Sequence, residues 1–326
     1  MRLSPSEKEE IIRLVDHSDL GVNRTLNHLG INKSSFYKWY KAYTDHGIDG
    51  LQPFRQGNRQ QWNTIAQEQK NLVVEVALEF PQLSSRELAC KLTDEQQVFI
   101  SESSVYRILK ARGLITTPAH VLMSASDEFK DKTAFVHQMW QTDFTYFKII
   151  GWGWYYLSTV LDDYSRFIVH WELCDSMKAQ DVQNTVESAI KAAKLISKQR
   201  PKLLSDNGAC YISSDIKAYL KTQGITSIHG RPLHPQTQGK IERYHRSMKN
   251  VVKLEHYYYP EQLKQAIGQF VEYYNHQRYH ESLKNLTPAD IYYGRGESIL
   301  KQRELIKQMT LERRKKAYEL QKLVQS

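Results

Sequence analysis

Asp143, Asp206 and Glu242 are the residues of this chain whose types and surroundings best suit chemistry. Asp143 sits in Trp140-Gln-Thr-Asp-Phe-Thr-Tyr146, Asp206 in Leu204-Ser-Asp-Asn-Gly208, and Glu242 in His234-Pro-Gln-Thr-Gln-Gly-Lys-Ile-Glu-Arg243. The last two are 36 positions apart (242 − 206). Mg²⁺ prefers oxygen ligands and usually keeps several waters, held by a few carboxylates and a substrate phosphate. Two such ions about 3.5–4 Å apart can clamp the attacking and leaving oxygens of an in-line phosphoryl displacement. Three carboxylates, two on strand-like segments and one on a helix, inside a basic chain, point to a divalent-metal site that cuts and joins DNA.

The elements that must position them follow from periodicity. Residues 141–150 alternate as a strand, Gly151-Trp-Gly153 turns the chain, and 155–161 and 167–173 are two further strands. Residues 178–197 read as a helix, 202–205 as a short strand, 213–223 as a helix and 225–229 as a fifth strand. Helices follow over 239–256 and 261–277. Asp143 is then mid-strand, Asp206 ends a strand at the Asn207-Gly208 turn, and Glu242 lies one turn into a helix. A mixed α/β sheet of five strands flanked by helices matches the ribonuclease-H architecture. There the first and fourth strands are neighbours, and a helix can close over them.

That helix carries Glu242, Arg246, Lys249 and Lys253 at i, i+4, i+7 and i+11, on one face. A solvated salt-bridged face is the ordinary reading of such a stripe. Residues 234–239 argue otherwise: they are polar and turn-rich, and Gly239 lets backbone N–H groups approach a phosphate. The stripe is therefore read as a phosphate track entering a metal site.

Upstream, residues 5–50 read as three short helices, with Asn32 as N-cap of the third. Helix, Gly-containing turn and basic aromatic helix is the helix-turn-helix pattern, with Lys38 and Lys41 as DNA contacts. Residues 66–80, a short helix capped at Ser84 and ending at Leu92, and a helix capped at Ser101 and stopped by Gly113 repeat the idea. Arg107, Lys110 and Arg112 are the basic residues of that last helix. A generic three-helix bundle is the plain alternative for each.

The 326 residues suffice for about two to three domains. Hydrophobic residues make up 40% and mean hydropathy is −0.60, values of a soluble globular protein. No apolar run approaches a membrane span, and the N-terminus lacks a secretory h-region. Cytoplasmic residence is the default expectation, nucleoid-associated when bound to DNA. Cys90, Cys174 and Cys210 are odd in number and widely spaced, against a disulfide framework or a Cys-ligated zinc. The net charge of +9 and pI near 9.2 favour a polyanionic partner.

Trp-x-x-Asp-x-Thr, Leu-Asp-Asp-Tyr-Ser-Arg, Ser-Asp-Asn-Gly and His-Pro-Gln-Thr-Gln-Gly-Lys-x-Glu-Arg occur in that order. Together they resemble the retroviral-integrase-like core of bacterial insertion-sequence transposases of the Asp-Asp-Glu class, over about residues 135–295. Tyr274-Asn275-His-Gln-Arg278-Tyr-His280-Glu-Ser-Leu283 resembles that group's C-terminal segment, with Tyr279 where many relatives carry Pro. The resemblance implies Asp143, Asp206 and Glu242 as catalytic metal ligands for Mg²⁺ or Mn²⁺, two ions per site. It makes Lys240 and Arg243 DNA contacts near the scissile phosphate. It implies end binding, cleavage and strand transfer on double-stranded DNA, terminal inverted repeats and target alike. A homodimer or higher assembly in the DNA complex and no membrane partner follow.

The expected organisation is multidomain: N-terminal all-α helix-turn-helix domains, a mixed α/β ribonuclease-H-like catalytic core and a C-terminal helix. The boundaries are 1–52 and 64–116 for the two DNA-binding domains, 53–63 and 117–135 for linkers, 136–296 for the core and 297–326 for a basic helix. That last helix suits DNA binding, assembly or a loose tail. Adjacent strand residues face opposite ways, so at most one of Asp162 and Asp163 could face the site, and the resemblance implies a structural role for this Asp-Asp-Tyr-Ser-Arg turn. Tyr257-Tyr-Tyr259 and Tyr273-Tyr274 read as packing aromatics, while Trp152 and Trp154 flank a hairpin, where target DNA is one reading. Two other functions stay open: a regulator that binds ends without cutting, and a nuclease of the same fold that cuts without joining.

Overall fold

The computed structural model describes residues 5–18, 20–51, 61–115, 133–196, 199–229, 238–253 and 256–325. The chain divides into two compact units, Met1–Thr64 and Ile65–Ser326.

The first unit contains α1 (Pro5–Asp16), α2 (Val22–His28) and α3 (Lys33–His46), closed by a 3₁₀ turn at Gly47–Leu51. Gly30 takes φ +66° between α2 and α3, a conformation that costs a residue without Cβ little. Asn32 caps α3, its Oδ1 accepting from the Ser34 amide at 2.9 Å. Ile12, Val15, Leu26, Phe36 and Leu51 are the buried core. Lys38 and Lys41 stay exposed.

The second unit opens with α4 (Gln67–Glu79), α5 (Ser85–Gln96) and α6 (Glu102–Ala111), packed around Val73, Leu88, Leu92, Ile100 and Val105. Ser84 and Glu87 form a capping box at the start of α5. This helix runs past the expected stop at Leu92 and ends where Gln97 turns left-handed. Ser101 begins α6, but its Oγ meets Ser104 Oγ instead of capping the helix backbone.

The sheet comprises β1 (Met139–Ile149), β2 (Gly153–Asp162), β3 (Ile168–Cys174), β4 (Lys202–Ser205) and β5 (Ser227–His229), in the order β3-β2-β1-β4-β5. The first three form an antiparallel meander, while β4 and β5 add in parallel on the other edge of β1. Helices cover both faces. On one, α7 (Ala179–Ala192), the short α8 (Ala209–Ile212) and α9 (Ser214–Thr222) pack Val182, Val186, Tyr211, Ile216 and Leu220 on Trp140, Val160 and Leu203. On the other, α10 (Gly239–Val252) and α11 (Pro260–His276) pack Ile241, Tyr244, Met248, Ile267 and Phe270 on Phe147, Leu157 and Leu161. Double coverage explains why β1 buries polar Gln141, Thr142 and Thr145 as well as apolar residues.

The helix expected over 178–197 stops at Ala192, where Lys194 adopts φ +53° and the Leu195 amide bonds back to Ile190. The expected 239–256 helix ends at Val252. Tyr258 and Tyr259 are exposed, contrary to the packing expected of them, because they lie in the loop before Pro260 and on no helix. The chain finishes with α12 (Pro288–Tyr292) and α13 (Gly296–Gln325).

The first half of α13 is docked. Arg303 grips Asp94 of α5 through two nitrogens at 2.6 and 2.7 Å, and Thr310 Oγ1 accepts from the Phe99 amide. Arg314 donates to the Phe99 carbonyl. The reading of this helix as a loose tail therefore does not describe its first half. No helix among the described residues is long and apolar enough to cross a membrane.

Candidate active site

Asp143 and Asp206 lie on neighbouring strands. The β1–β4 register pairs Gln141 with Leu204, and two residues further on it sets Asp143 level with Asp206. Gln141, Phe147 and Ile149 contact α10 and its surroundings, so this face of β1 looks toward the helix bearing Glu242. The Asp143 carboxylate is half-buried, accepts from the Phe144 amide at 2.9 Å and lies 3.4 Å from His245 Nδ1. His245 Nε2 in turn meets Thr159 Oγ1 of β2 at 3.4 Å. Asp206 is exposed, and its Oδ1 accepts from the Gly208 amide at 2.9 Å. A Cβ at Gly208 would come within 2.9 Å of that oxygen, so a side chain there would push the Asp206 carboxylate aside.

The start of α10 is pinned to the same place. Gln238 is buried ahead of the helix, and its Nε2 reaches the carbonyls of Thr142 and Leu204, at 3.4 and 3.5 Å. These precede Asp143 directly and Asp206 by two residues. The Ile241 amide donates to Gln141 Oε1 at 3.1 Å, and Gln141 Nε2 donates to Asp163 Oδ1 at 2.7 Å. Lys240 Nζ donates to the other Asp163 oxygen at 2.5 Å and to the Asp163 carbonyl at 3.0 Å. Asp162 accepts from the His137 amide and from Ser165. Both adjacent aspartates are thus spent on internal bonds. Burial, then the Arg166 charge, holds the Lys240 ammonium below its usual range, with Asp163 opposing. Burial raises the Asp162 carboxyl against those hydrogen bonds.

The field between the strands is negative. Burial, then the Asp143 charge, raises the fully enclosed Tyr211 phenol, and Asp206 adds to the rise. The Cys210 thiol is raised by burial, then by Asp206. Two oxygen-donor side chains, one within β1 and one just past the end of its neighbour β4, in a field that resists further negative charge, fit a hard divalent cation. Among the described residues, no three His, Cys, Asp or Glu side chains are gathered closely enough to hold a metal. Glu242 is exposed in the first turn of α10.

Residues 135–235 and 223–288 match models of the integrase core domain. Residues 7–59 match a helix-turn-helix domain and 35–109 a homeodomain-like domain. The putative transposase InsK for insertion sequence element IS150 of Escherichia coli (strain K12) is 29% identical over 140 residues, 43% of this chain and 48% of that one. The transposase InsF for insertion sequence IS3A of the same organism is 26% identical over 140 residues, 42% of this chain and 46% of that one. The chain is a homologue of bacterial insertion-sequence transposases, with an integrase-like core. The matched stretch spans less than half the length of either relative. A solved structure of the HTLV-2 integrase catalytic core domain in complex with magnesium aligns at TM-score 0.39 and 18% identity, over 48% of this chain and 97% of that one.

The candidate DNA contacts fall in different settings. Arg243, Arg246 and Lys253 on α10 are exposed, as are Arg107, Lys110 and Arg112 on or just after α6. Lys249 is half-buried, with Nζ 4.7 Å from the Tyr146 ring centre. Lys240 is bound to Asp163. His234, with the rest of 230–237, and most of both linkers (52–60 and 116–132) lie outside the described residues. Sequence reasoning missed Gln141, Gln238 and His245, which hold the site together. Gln141 and Gln238 stand inside the quoted motifs, so their positions were visible although their long-range partners were not.

Behind the core, His280 stacks edge-on against Tyr274, with ring centres 4.9 Å apart. Burial, with Arg278 and Arg166 next, pushes its pKa down to about 3 from 6.5. The folded protein therefore binds fewer protons here than the unfolded chain between pH 6.5 and 3. Stability contributed by neutral His280 is full above 6.5 and is lost as pH falls through this window. Denaturant unfolding of wild type and His280→Gln across pH 7 to 4 is expected to give a shallower acid decline in the variant. Parallel curves would contradict this.

Proposed function

We propose that this chain is a DNA transposase that binds the ends of its element and both cuts and joins DNA by in-line phosphoryl transfer. The observation that carries the reading is that β1 and β4 pair in parallel as far as Gln141 and Leu204, with Asp143 and Asp206 each two residues further on, beside the anchored first turn that bears Glu242. These three residues would hold Mg²⁺ or Mn²⁺, two ions when the DNA is engaged. Bound there, the ions supply charge neutralisation and an activated attacking oxygen.

The chain supplies the positioning. The Phe144 amide and His245 orient the Asp143 carboxylate. The Gly208 amide orients Asp206. Gln238, Gln141 and the Lys240–Asp163 pair fix where α10 starts, and hence where Glu242 points. Lys240 serves the site from within, as an anchor, besides the DNA contact expected of it. Arg243, Arg246, Lys249 and Lys253 draw in the phosphate backbone. Lys38 and Lys41 of one helix-turn-helix group, and Arg107, Lys110 and Arg112 of the other, read the terminal inverted repeats. Residues 1–52 and 64–116 act as separate DNA-binding domains, and 136–296 as the catalytic core. No covalent protein–DNA intermediate is required: water attacks a phosphodiester and breaks its P–O3′ bond, leaving a 3′-OH and a 5′-phosphate, and that 3′-OH then joins a target phosphate by displacing the target strand's own 3′ oxygen. Two ends must be held at once, so the active form is a dimer or higher assembly.

The ungathered triad also suits a binder of ends that does not cut. Metal dependence separates the two. Full-length protein with DNA carrying its element's ends is expected to nick and join in Mg²⁺ or Mn²⁺, and to stop on addition of EDTA while still binding. Binding without products in either metal would favour the non-cutting reading.

A further inference from the structure

The β1–β2 hairpin carries an exposed aromatic surface that the cutting site does not use. Gly151 and Gly153 take φ +86° and +104° at its tip, flanking Trp152. Tyr146 and Trp154 are 54% and 49% exposed, and Trp152 and Ile150 are more exposed still. The Tyr146 and Trp154 rings lie edge-to-face, 5.4 Å between centres, on diagonal positions of the hairpin. Lys148, the direct cross-strand partner of Trp154, puts Nζ 5.5 Å from that ring. Lys249 reaches over from α10 to the Tyr146 ring. Large rings left half in water are costly surface unless something covers them.

We propose that Tyr146 and Trp154 form a stacking platform for an unpaired nucleobase of the DNA held at the active site, with Lys148 and Lys249 meeting its phosphates. This rests on the transposase reading for its DNA. The chemistry favours a nucleic acid over a protein partner. Lysine is depleted from the cores of protein interfaces, yet here two ammonium groups sit over the rings themselves. Aromatic faces flanked by cations are the usual means of binding single-stranded nucleic acid. The position also fits. Tyr146 follows Asp143 by three residues on one strand, about 10 Å at the usual rise and on the opposite face, and Lys249 of α10 reaches the Tyr146 ring from the face that holds Asp143. The Lys249 ammonium feels the Asp143 charge, although burial and Lys253 lower its pKa overall. A base unstacked from a DNA end whose phosphate lies at Asp143 is within reach of the rings.

The test is metal-free binding of full-length protein to two fluorescent DNAs, a blunt duplex and the same duplex with a four-base unpaired 3′ tail. Wild type is expected to prefer the tail by about tenfold, the effect of one stacked base. Trp154→Ala and Tyr146→Ala are expected to lose that preference while binding the blunt duplex normally, and Trp154→Phe to keep it. Absence of tail preference in wild type, or equal losses on both DNAs, would overturn the proposal. So would variants that keep the preference but lose self-association in sedimentation, which would make the tip a contact between copies. Because no metal is present, these outcomes are independent of whether the core cuts DNA.

Discussion

Asp143→Asn is expected to reduce cleavage and strand transfer by about 10³-fold or more while leaving fold and end binding intact. The amide keeps the size of the carboxylate and an oxygen for the Phe144 amide. It removes the charge that faces Asp206 and would hold the cation. Metal-derived charge stabilisation is worth several kcal/mol, and about 1.4 kcal/mol is a tenfold change in rate. The loss should therefore appear in the chemical step and hardly at all in affinity. Gel assays of nicked and joined products, run beside fluorescence anisotropy on the same DNA, separate the two. A variant that cuts within about tenfold of wild type would remove Asp143 from the site.

Asp163→Ala is expected to have the largest effect on stability. Asp163 is 3% exposed and satisfies Gln141, Lys240 and Thr133 together. Its loss leaves the Lys240 ammonium half-buried without its counter-ion and the Gln141 amide unpaired. Breaking one side of a buried pair costs about 3–5 kcal/mol. At roughly 2–4 °C per kcal/mol for a unit of this size, the melting temperature should fall by about 10 °C. Gln141 also receives the Ile241 amide, so the first turn of α10 should loosen and activity fall beyond what unfolding explains. Differential scanning calorimetry checks the first part. A melting temperature within about 2 °C of wild type would mean that the network is not holding the helix.

The strands and the starts of the main helices were legible because hydrophobic period and caps are local: Asn32, Ser84 and the alternation across 141–150 were enough. The candidate aspartates could be picked out as well, since each stands in a turn or strand motif. The anchoring of α10 was not. Gln141 and Gln238 look like ordinary polar residues until the fold brings Asp163 and Ile241 to the first and Thr142 and Leu204 to the second, and contacts across 22 to 100 residues leave no periodic trace. Lys240 reads as one more cation on a basic stripe; only burial beside Asp163 reveals its bond. The overestimated helices at 178–197 and 239–256 had a related cause. Good helix formers continued past the true ends, which were set by the left-handed Lys194 and by the loop leading to Pro260. Tyr146, meanwhile, lies on a strand whose neighbours are buried, and its exposure depends on how far the covering helices extend.

The most direct test of the central claim, that these three carboxylates form one metal site acting on DNA, is strand transfer by wild type and Glu242→Gln side by side. Both proteins are incubated in Mn²⁺ with DNA spanning the junctions of the element, and joined products are read on a sequencing gel. Glu242 belongs to the helix that must close on the strands, so its removal tests the assembled site rather than the strand pair alone. Products from wild type and none from the variant, with equal end binding, is the predicted result. Undiminished products from Glu242→Gln would contradict the account.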